Sequence, residues 1–166
     1  MTNFVVDVEA DGPCPGLYSM LSIGVVELSS MKGFYTELKP ISNNYVQEAL
    51  NVNGFTREQT LRFPDAEKGM LDLAIWLEQF NGNKVFWSDN NGFDWQFVNY
   101  YFHLYEIKNV FGHSSRRIGD YYCGRVNDIS ANRKWKKLRK TKHTHNALDD
   151  AMGNAEALKQ IMKGNY

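Results

Sequence analysis

Phe4-Val5-Val6-Asp7-Val8-Glu9 sets two carboxylates into a run otherwise made of valine and phenylalanine. Its β-branched and aromatic content reads as a short buried strand. Successive strand side chains alternate between faces, so Asp7 and Glu9 project to the same side. Two like charges held together in an apolar segment are costly unless a cation neutralises them. Hard divalent ions such as Mg²⁺ or Mn²⁺ take oxygen ligands, and the pair reads as part of such a site. A solvated strand end is the competing account, because Asp-x-Glu alone is a common pattern.

Working outward, Met20–Leu28 (MLSIGVVEL) is a second apolar run, and Gly33–Leu38 (GFYTEL) alternates as a third strand would. Gly12, Pro13, Pro15 and Gly16 turn the chain between the first two. An antiparallel meander is the simplest arrangement. After Pro64, the positions Ala66, Met70, Leu73, Ala74, Leu77 and Phe80 recur at threes and fours, which predicts an amphipathic helix ended by Asn81-Gly82-Asn83. Lys84–Trp87 reads as a short strand. A helix from Asp94 carries Phe97, Val98, Tyr101 and Tyr105 on one stripe. A last helix carries Leu148, Ala151, Met152, Ala155, Leu158 and Met162 on its stripe. Thr56 with Gln59 is a capping-box signal for a further short helix. Without repeats, low-complexity tracts or linkers, residues 1–166 read as one α/β domain.

At 166 residues and 19.2 kDa the chain is long enough for a substantial core. Its 19 basic and 19 acidic residues cancel, which by itself speaks against an acidic partner. The balance conceals a division. Residues 1–100 contain 13 acids and 6 bases, whereas residues 101–166 contain 6 acids and 13 bases. Such polarity hints at nucleic acid or membrane contact. Cys14 and Cys123 form no CxxC pair, which fits a reducing cytoplasm. Asp7, Glu9 and Asp11 interrupt the place of a signal peptide's apolar stretch, and no run approaches the ~20 residues of a membrane span. A soluble cytoplasmic protein is expected, with no membrane partner.

Two further features could carry chemistry. Asp94 opens an aromatic helix after the turn in Trp87-Ser88-Asp89-Asn90-Asn91-Gly92-Phe93-Asp94, where helix capping accounts for it on spacing alone. At 143–151, HTHNALDDA places His145 just before the last helix and Asp149 and Asp150 in its first turn. A histidine beside carboxylates suits a general base near neutral pH. Either aspartate also complements a helix N-terminus, and helical geometry does not choose between them.

Together, the order Asp-x-Glu, a mid-chain Gly-Phe-Asp and a late His-x4-Asp resembles the DEDDh 3′–5′ exonucleases. The resemblance spans about Phe4 to Leu158. It implies a ribonuclease H-like fold, a central mixed β-sheet with an antiparallel meander flanked by helices. It places Asp7 and Glu9 at the first motif, Asp94 at the second, and His145 and Asp150 at the third. A tyrosine-type site would need Tyr at position 146, which is Asn146. Asn51–Thr56 is similar to the family's segment beside the substrate, with Gly54 and Phe55 at its centre, and Ile118–Tyr122 stands where the family has its next helix. Many members have threonine after the glutamate, where this chain has Ala10, so that substrate contact is altered. Trp87–Asp94 is more similar to the ribonuclease AS and phage exonuclease A branch than to oligoribonuclease.

The resemblance further implies two divalent ions, Mg²⁺ or Mn²⁺, held by Asp7, Glu9, Asp94 and Asp150, with His145 as general base. The expected reaction releases nucleoside 5′-monophosphates from the 3′ end of single-stranded or overhanging RNA or DNA. Family members are often homodimers. Arg133–Lys142 (RKWKKLRKTK) puts seven cations directly before His145, which points to phosphate contact. Arg133, Lys134, Lys136 and Lys137 are its candidate phosphate ligands, and Trp135 is a candidate for base stacking. Tyr18, Trp95 and Tyr101 are further stacking candidates, and Arg116-Arg117 further phosphate ligands. The competing functions are a binding module without activity, a proofreading subunit built for a protein partner, and a ribonuclease H-like endonuclease.

Overall fold

The computed structural model describes residues 1–166. Five strands form one sheet in the order β3-β2-β1-β4-β5, namely β1 (Thr2–Ala10), β2 (Met20–Glu27), β3 (Gly33–Glu37), β4 (Lys84–Ser88) and β5 (Ser115–Arg117). β1–β2 and β2–β3 pair antiparallel, while β1–β4 and β4–β5 pair parallel. The meander expected from the sequence is therefore one half of a mixed sheet. The second half needs β5, whose Ser-Arg-Arg has no strand pattern and escapes sequence reading.

Six helices accompany the sheet: α1 (Gln47–Asn53), α2 (Arg57–Thr60), α3 (Ala66–Glu78), α4 (Asn91–Leu104), α5 (Ile118–Val126) and α6 (Ala147–Met162). α2 has the expected capping box, with reciprocal bonds between Thr56 and Gln59. α1 is not signalled by any long apolar stripe, since only Leu50 is buried. α4 begins at Asn91, three residues before the expected start, because the Asn90 carbonyl already accepts the amides of Phe93 and Asp94. No helix is long and apolar enough to cross a membrane.

Helices on both sides explain why β1 is apolar almost throughout. Phe4, Val6, Val8 and Ala10 join Met70, Leu73, Leu77, Phe97 and Tyr101 in one core. Val5 faces the other core, with Ile118, Ala151, Ala155 and Leu158. Asp7 and Glu9 continue the Val5 face of the strand, toward α6.

One glycine fixes how near α6 comes. Gly24 on β2 pairs with Asp7 on β1. A Cβ on Gly24 would lie 2.2 Å from the Ala147 carbonyl oxygen and 2.4 Å from the Leu148 nitrogen. The first turn of α6 thus sits against the sheet beside Asp7, and its backbone has no flexible end to move aside. Gly24→Ala should destabilise the fold by about 2–3 kcal/mol, lowering the melting temperature by roughly 5–10 °C. Thermal unfolding followed by circular dichroism measures this, and an unchanged melting temperature would contradict the close approach.

Candidate active site

Asp7, Glu9 and Asp150 each bring a carboxylate oxygen within 4.8 Å of the other two. Asp94 arrives from α4. β1 pairs with β4 only from Thr2 to Val5, so the later β1 amides on that side lack a strand partner. The Val8 amide donates instead to Asp94 Oδ1 at 3.2 Å. Asp94 therefore joins α4 to the strand that carries Asp7 and Glu9. Its Oδ2 is buried without a hydrogen-bond partner.

Asp150 is fully buried, whereas Asp149 is exposed and accepts from the Thr144 hydroxyl at 2.9 Å. This answers the choice that helical spacing leaves open. Asp150 Oδ2 accepts the His145 amide at 3.1 Å, and Oδ1 accepts the Thr144 amide at 3.2 Å. These bonds hold His145 at a φ of 58°, an uncommon conformation for a side chain of its size. Asn146 then caps α6 through the amides of Leu148 and Asp149. The His145 ring is half-buried and meets the His143 ring edge-on at 4.3 Å between centroids.

Burial together with the charges of Asp94, Glu9 and Asp150 pushes the Asp7 carboxyl well above the usual carboxylate range. Glu9 rises from 4.5 to about 8, first through burial and then through Asp150 and Asp94. Burial also raises Asp94, against the hydrogen bond from the Val8 amide. Crowded, desolvated carboxylates with an orphaned oxygen fit a site for hard divalent cations, which take oxygen ligands and would restore the ionised forms.

No protein-family model matches the chain. It is 36% identical to the 3′–5′ DNA exonuclease Cap18 of Escherichia coli, over 95% of this chain and 90% of that protein. The chain belongs to the DEDDh 3′–5′ exonucleases. Solved structures agree in fold. The nuclease domain of 3′hExo, a DEDDh family member bound to rAMP, superposes with a TM-score of 0.73 at 15% identity, over 98% of this chain and 92% of that one. The zinc-bound E. coli ExoI–ssDNA complex gives 0.73 at 16% identity, over 98% of this chain and 40% of that one. Cell-death related nuclease 4 gives 0.76 at 14%, over 98% and 64%.

Beside Glu9 the exonuclease has a cleft of about 440 Å³, lined among others by Ala10, Val46, Ala49, Val52, Asn53 and Phe93. Ala10 is buried at its edge, and its carbonyl accepts from Asn53 Nδ2 at 2.8 Å. Gly54 follows as the left-handed end of α1. Phe55 does not line the cleft; its ring packs edge-on against Phe63. Gly54 and Phe55 lie just beyond the cleft wall, which is made by the unanticipated α1.

The basic run of the exonuclease is not a free loop. Lys134–Leu138 is a 3₁₀ helix anchored by Trp135, which is fully buried and donates its indole N–H to the Asn132 carbonyl at 3.0 Å. Trp135 therefore cannot stack on a base; it fills the core shared with α5 and α6. Lys134 pairs with Asp128 at 3.2 Å and Lys136 with Asp89 at 2.5 Å. Arg133, Lys137, Lys140 and Lys142 are exposed without an ion-pair partner. Other stacking candidates also belong to the core. Tyr101 is buried with its hydroxyl accepting the Met20 amide, and Trp95 packs on Phe86. Tyr18 lies against Gly12. Arg116 stacks over Trp87, and Arg117 bonds the Asp89 carbonyl and Asp120.

Two residues at the site have no forecast role in the sequence. His143 Nδ1 lies 2.7 Å from Asp150 Oδ1, and Arg139 donates to the same oxygen at 2.8 Å. The sequence signal for His143 is its spacing, two residues before His145. Arg139 carries no signal beyond its membership in the basic run.

The crowding has a measurable consequence for pH. Between 4.5 and about 8 the folded state holds a proton on Glu9 that the unfolded state has lost, so metal-free stability falls as pH rises through that window. Glu9→Gln should melt about 5 °C higher than the parent at pH 9 in chelator, with the gap closing toward pH 5. Differential scanning calorimetry across this range tests it, and a variant that melts lower at pH 9 would contradict the repulsion.

Proposed function

We propose that this exonuclease removes nucleotides one at a time from the 3′ end of single-stranded DNA, with Asp7, Glu9, Asp94 and Asp150 holding two divalent ions, Mg²⁺ or Mn²⁺. The observation that carries the reading is the convergence of four carboxylates, one with a buried orphan oxygen, at the carboxyl end of β1. DNA is chosen over RNA on the likeness to Cap18, whose name specifies a DNA exonuclease. Bound there, such ions supply a water of lowered pKa and offset the charge on the departing oxygen.

The chain's own residues do the rest. His145 stands beside the carboxylates on a loop whose backbone Asp150 fixes, and its ring takes the proton of the attacking water. The water oxygen bonds to the terminal phosphorus as the bond to the 3′-oxygen of the preceding sugar breaks. The products are a nucleoside 5′-monophosphate and a strand one residue shorter. The cleft between Glu9 and α1 receives the last nucleotide against Val46, Val52 and Phe93. Lys137, Lys140 and Lys142 meet phosphates of the preceding nucleotides. The two free cysteines suit a reducing cytoplasm.

Digestion of 5′-labelled DNA tests the reading. With Mg²⁺ or Mn²⁺ the parent should give a ladder shrinking from the 3′ end, and Asp7→Asn should leave none while keeping the parent's circular dichroism. His145→Ala should slow the reaction by about 10²–10⁴-fold. Internal cuts, or full activity in Asp7→Asn, would overturn the assignment. Faster digestion of a matched RNA oligomer would overturn the choice of DNA.

A further inference from the structure

Arg139 is a nearly buried cation seated on one oxygen of Asp150. Its side chain is 9% exposed and its Nη2 donates to Asp150 Oδ1 at 2.8 Å. Burying a guanidinium is costly without a carboxylate partner, so this contact is not an incidental surface pair. Its Nε is buried and unbonded, so only part of the guanidinium is satisfied by the contact.

The reason lies on one ridge of α6. Residues three apart on a helix are neighbours, and Asp150, Gly153 and Glu156 follow at that spacing. Each receives part of the segment Arg139–Thr141. Asp150 takes the guanidinium. Gly153 leaves room for it: a Cβ there would lie 2.4 Å from Arg139 Nε, 2.7 Å from its Nη2 and 2.8 Å from the Thr141 carbonyl oxygen. Glu156 accepts the amides of Lys140 and Thr141, each at 2.8 Å, and the Thr141 hydroxyl at 3.2 Å. The strap between the basic run and His143 is thus clamped along the helix that carries Asp150.

The partners of Asp150 are unequally divided. Oδ1 receives Arg139 and the Thr144 amide and lies 2.7 Å from His143 Nδ1, while Oδ2 receives only the His145 amide. An ionised carboxylate oxygen offers about two lone-pair sites. Oδ1 is fully committed to the protein, and Oδ2 keeps capacity for a cation.

We propose that Arg139 is a positioning residue: by occupying one oxygen of Asp150 from a slot kept open by Gly153, it fixes which oxygen is offered to the metal and ties that ligand to the basic strap. The proposal rests on the assignment of Asp150 as a metal ligand. Partners of this outer kind orient metal ligands, and their loss weakens metal binding by about 10–100-fold. A merely obstructive arginine would do the reverse, since removing its positive charge would favour a cation.

Mn²⁺ binding to the substrate-free full chain, measured by isothermal titration calorimetry, separates these cases. Arg139→Gln should weaken Mn²⁺ by about 10–100-fold, and Arg139→Lys should recover part of the loss by restoring the charge without the fork. Gly153→Ala should also weaken Mn²⁺, because it displaces the guanidinium while leaving the charge in the chain. It serves as the test if Arg139→Gln does not fold. Unchanged or tighter Mn²⁺ binding in whichever of these variants is folded would overturn the proposal. Asp150→Asn is the control for the underlying assignment. If it binds Mn²⁺ like the parent, the metal-ligand reading fails. If it loses Mn²⁺ while Arg139→Gln does not, only the role of Arg139 fails.

Discussion

The candidate site depends on the missing Cβ of Gly24. Without that vacancy the first turn of α6 could not lie against β2, and Asp150 would stand back from the β1 carboxylates. Everything else at the site follows from the approach. Asn146 caps the helix at the point of contact, and Asp150 enters the space beside Asp7 and Glu9. Asp150 then organises the preceding loop through the amides of residues 144 and 145. A backbone-to-backbone contact, made by the least conspicuous residue in β2, sets the position of the most consequential side chain in α6.

That placement works against stability in the absence of metal. Four carboxylates share a poorly solvated space, and three of them are pushed up in pKa by burial and by one another. The opposing contributions come from hydrogen bonds and from a single buried cation. Val8 supports Asp94, while Arg139 and the loop amides support Asp150. Glu9 has no such help, which is why its carboxyl rises so far. A site of this kind is strained toward its ligand, consistent with polar and charged groups being arranged for function at a cost to folding.

Much of this was legible in the sequence, for reasons that also explain the gaps. The strand carrying Asp7 and Glu9 stood out because two acids interrupt a buried apolar run, and the spacing of His145 to Asp150 was clear once the three motifs were taken together. The choice between Asp149 and Asp150 was not available from the helix pattern. That pattern follows apolar residues, and it marks the half-buried Leu148, Met152 and Met162 as readily as the fully buried Ala151, Ala155 and Leu158. The buried face of α6 also takes in small and polar residues that the pattern passes over, including Ala147, Asp150, Gly153, Asn154 and Ala157. Trp135 was misread for a related reason: the charges around it suggested solvent, but a 3₁₀ turn directs the indole inward between exposed lysines. β5 and α1 carry too little apolar pattern to be seen, and the ridge that receives Arg139 exists only once the strap has packed on α6.

The acidic cluster is drawn from opposite ends of the polypeptide. Asp7 and Glu9 lie in the first strand, Asp94 lies near the middle, and Asp150 lies in the last helix. The contacts that join them are among the most distant in sequence, so they form only after long loops have closed. During synthesis the first three carboxylates emerge well before the fourth. A nascent chain with α6 still inside the ribosome has neither Asp150 nor the loop that presents His145. Assembly of the cluster therefore waits on the closure that brings α6 back to β1, whatever the order in which the other elements form.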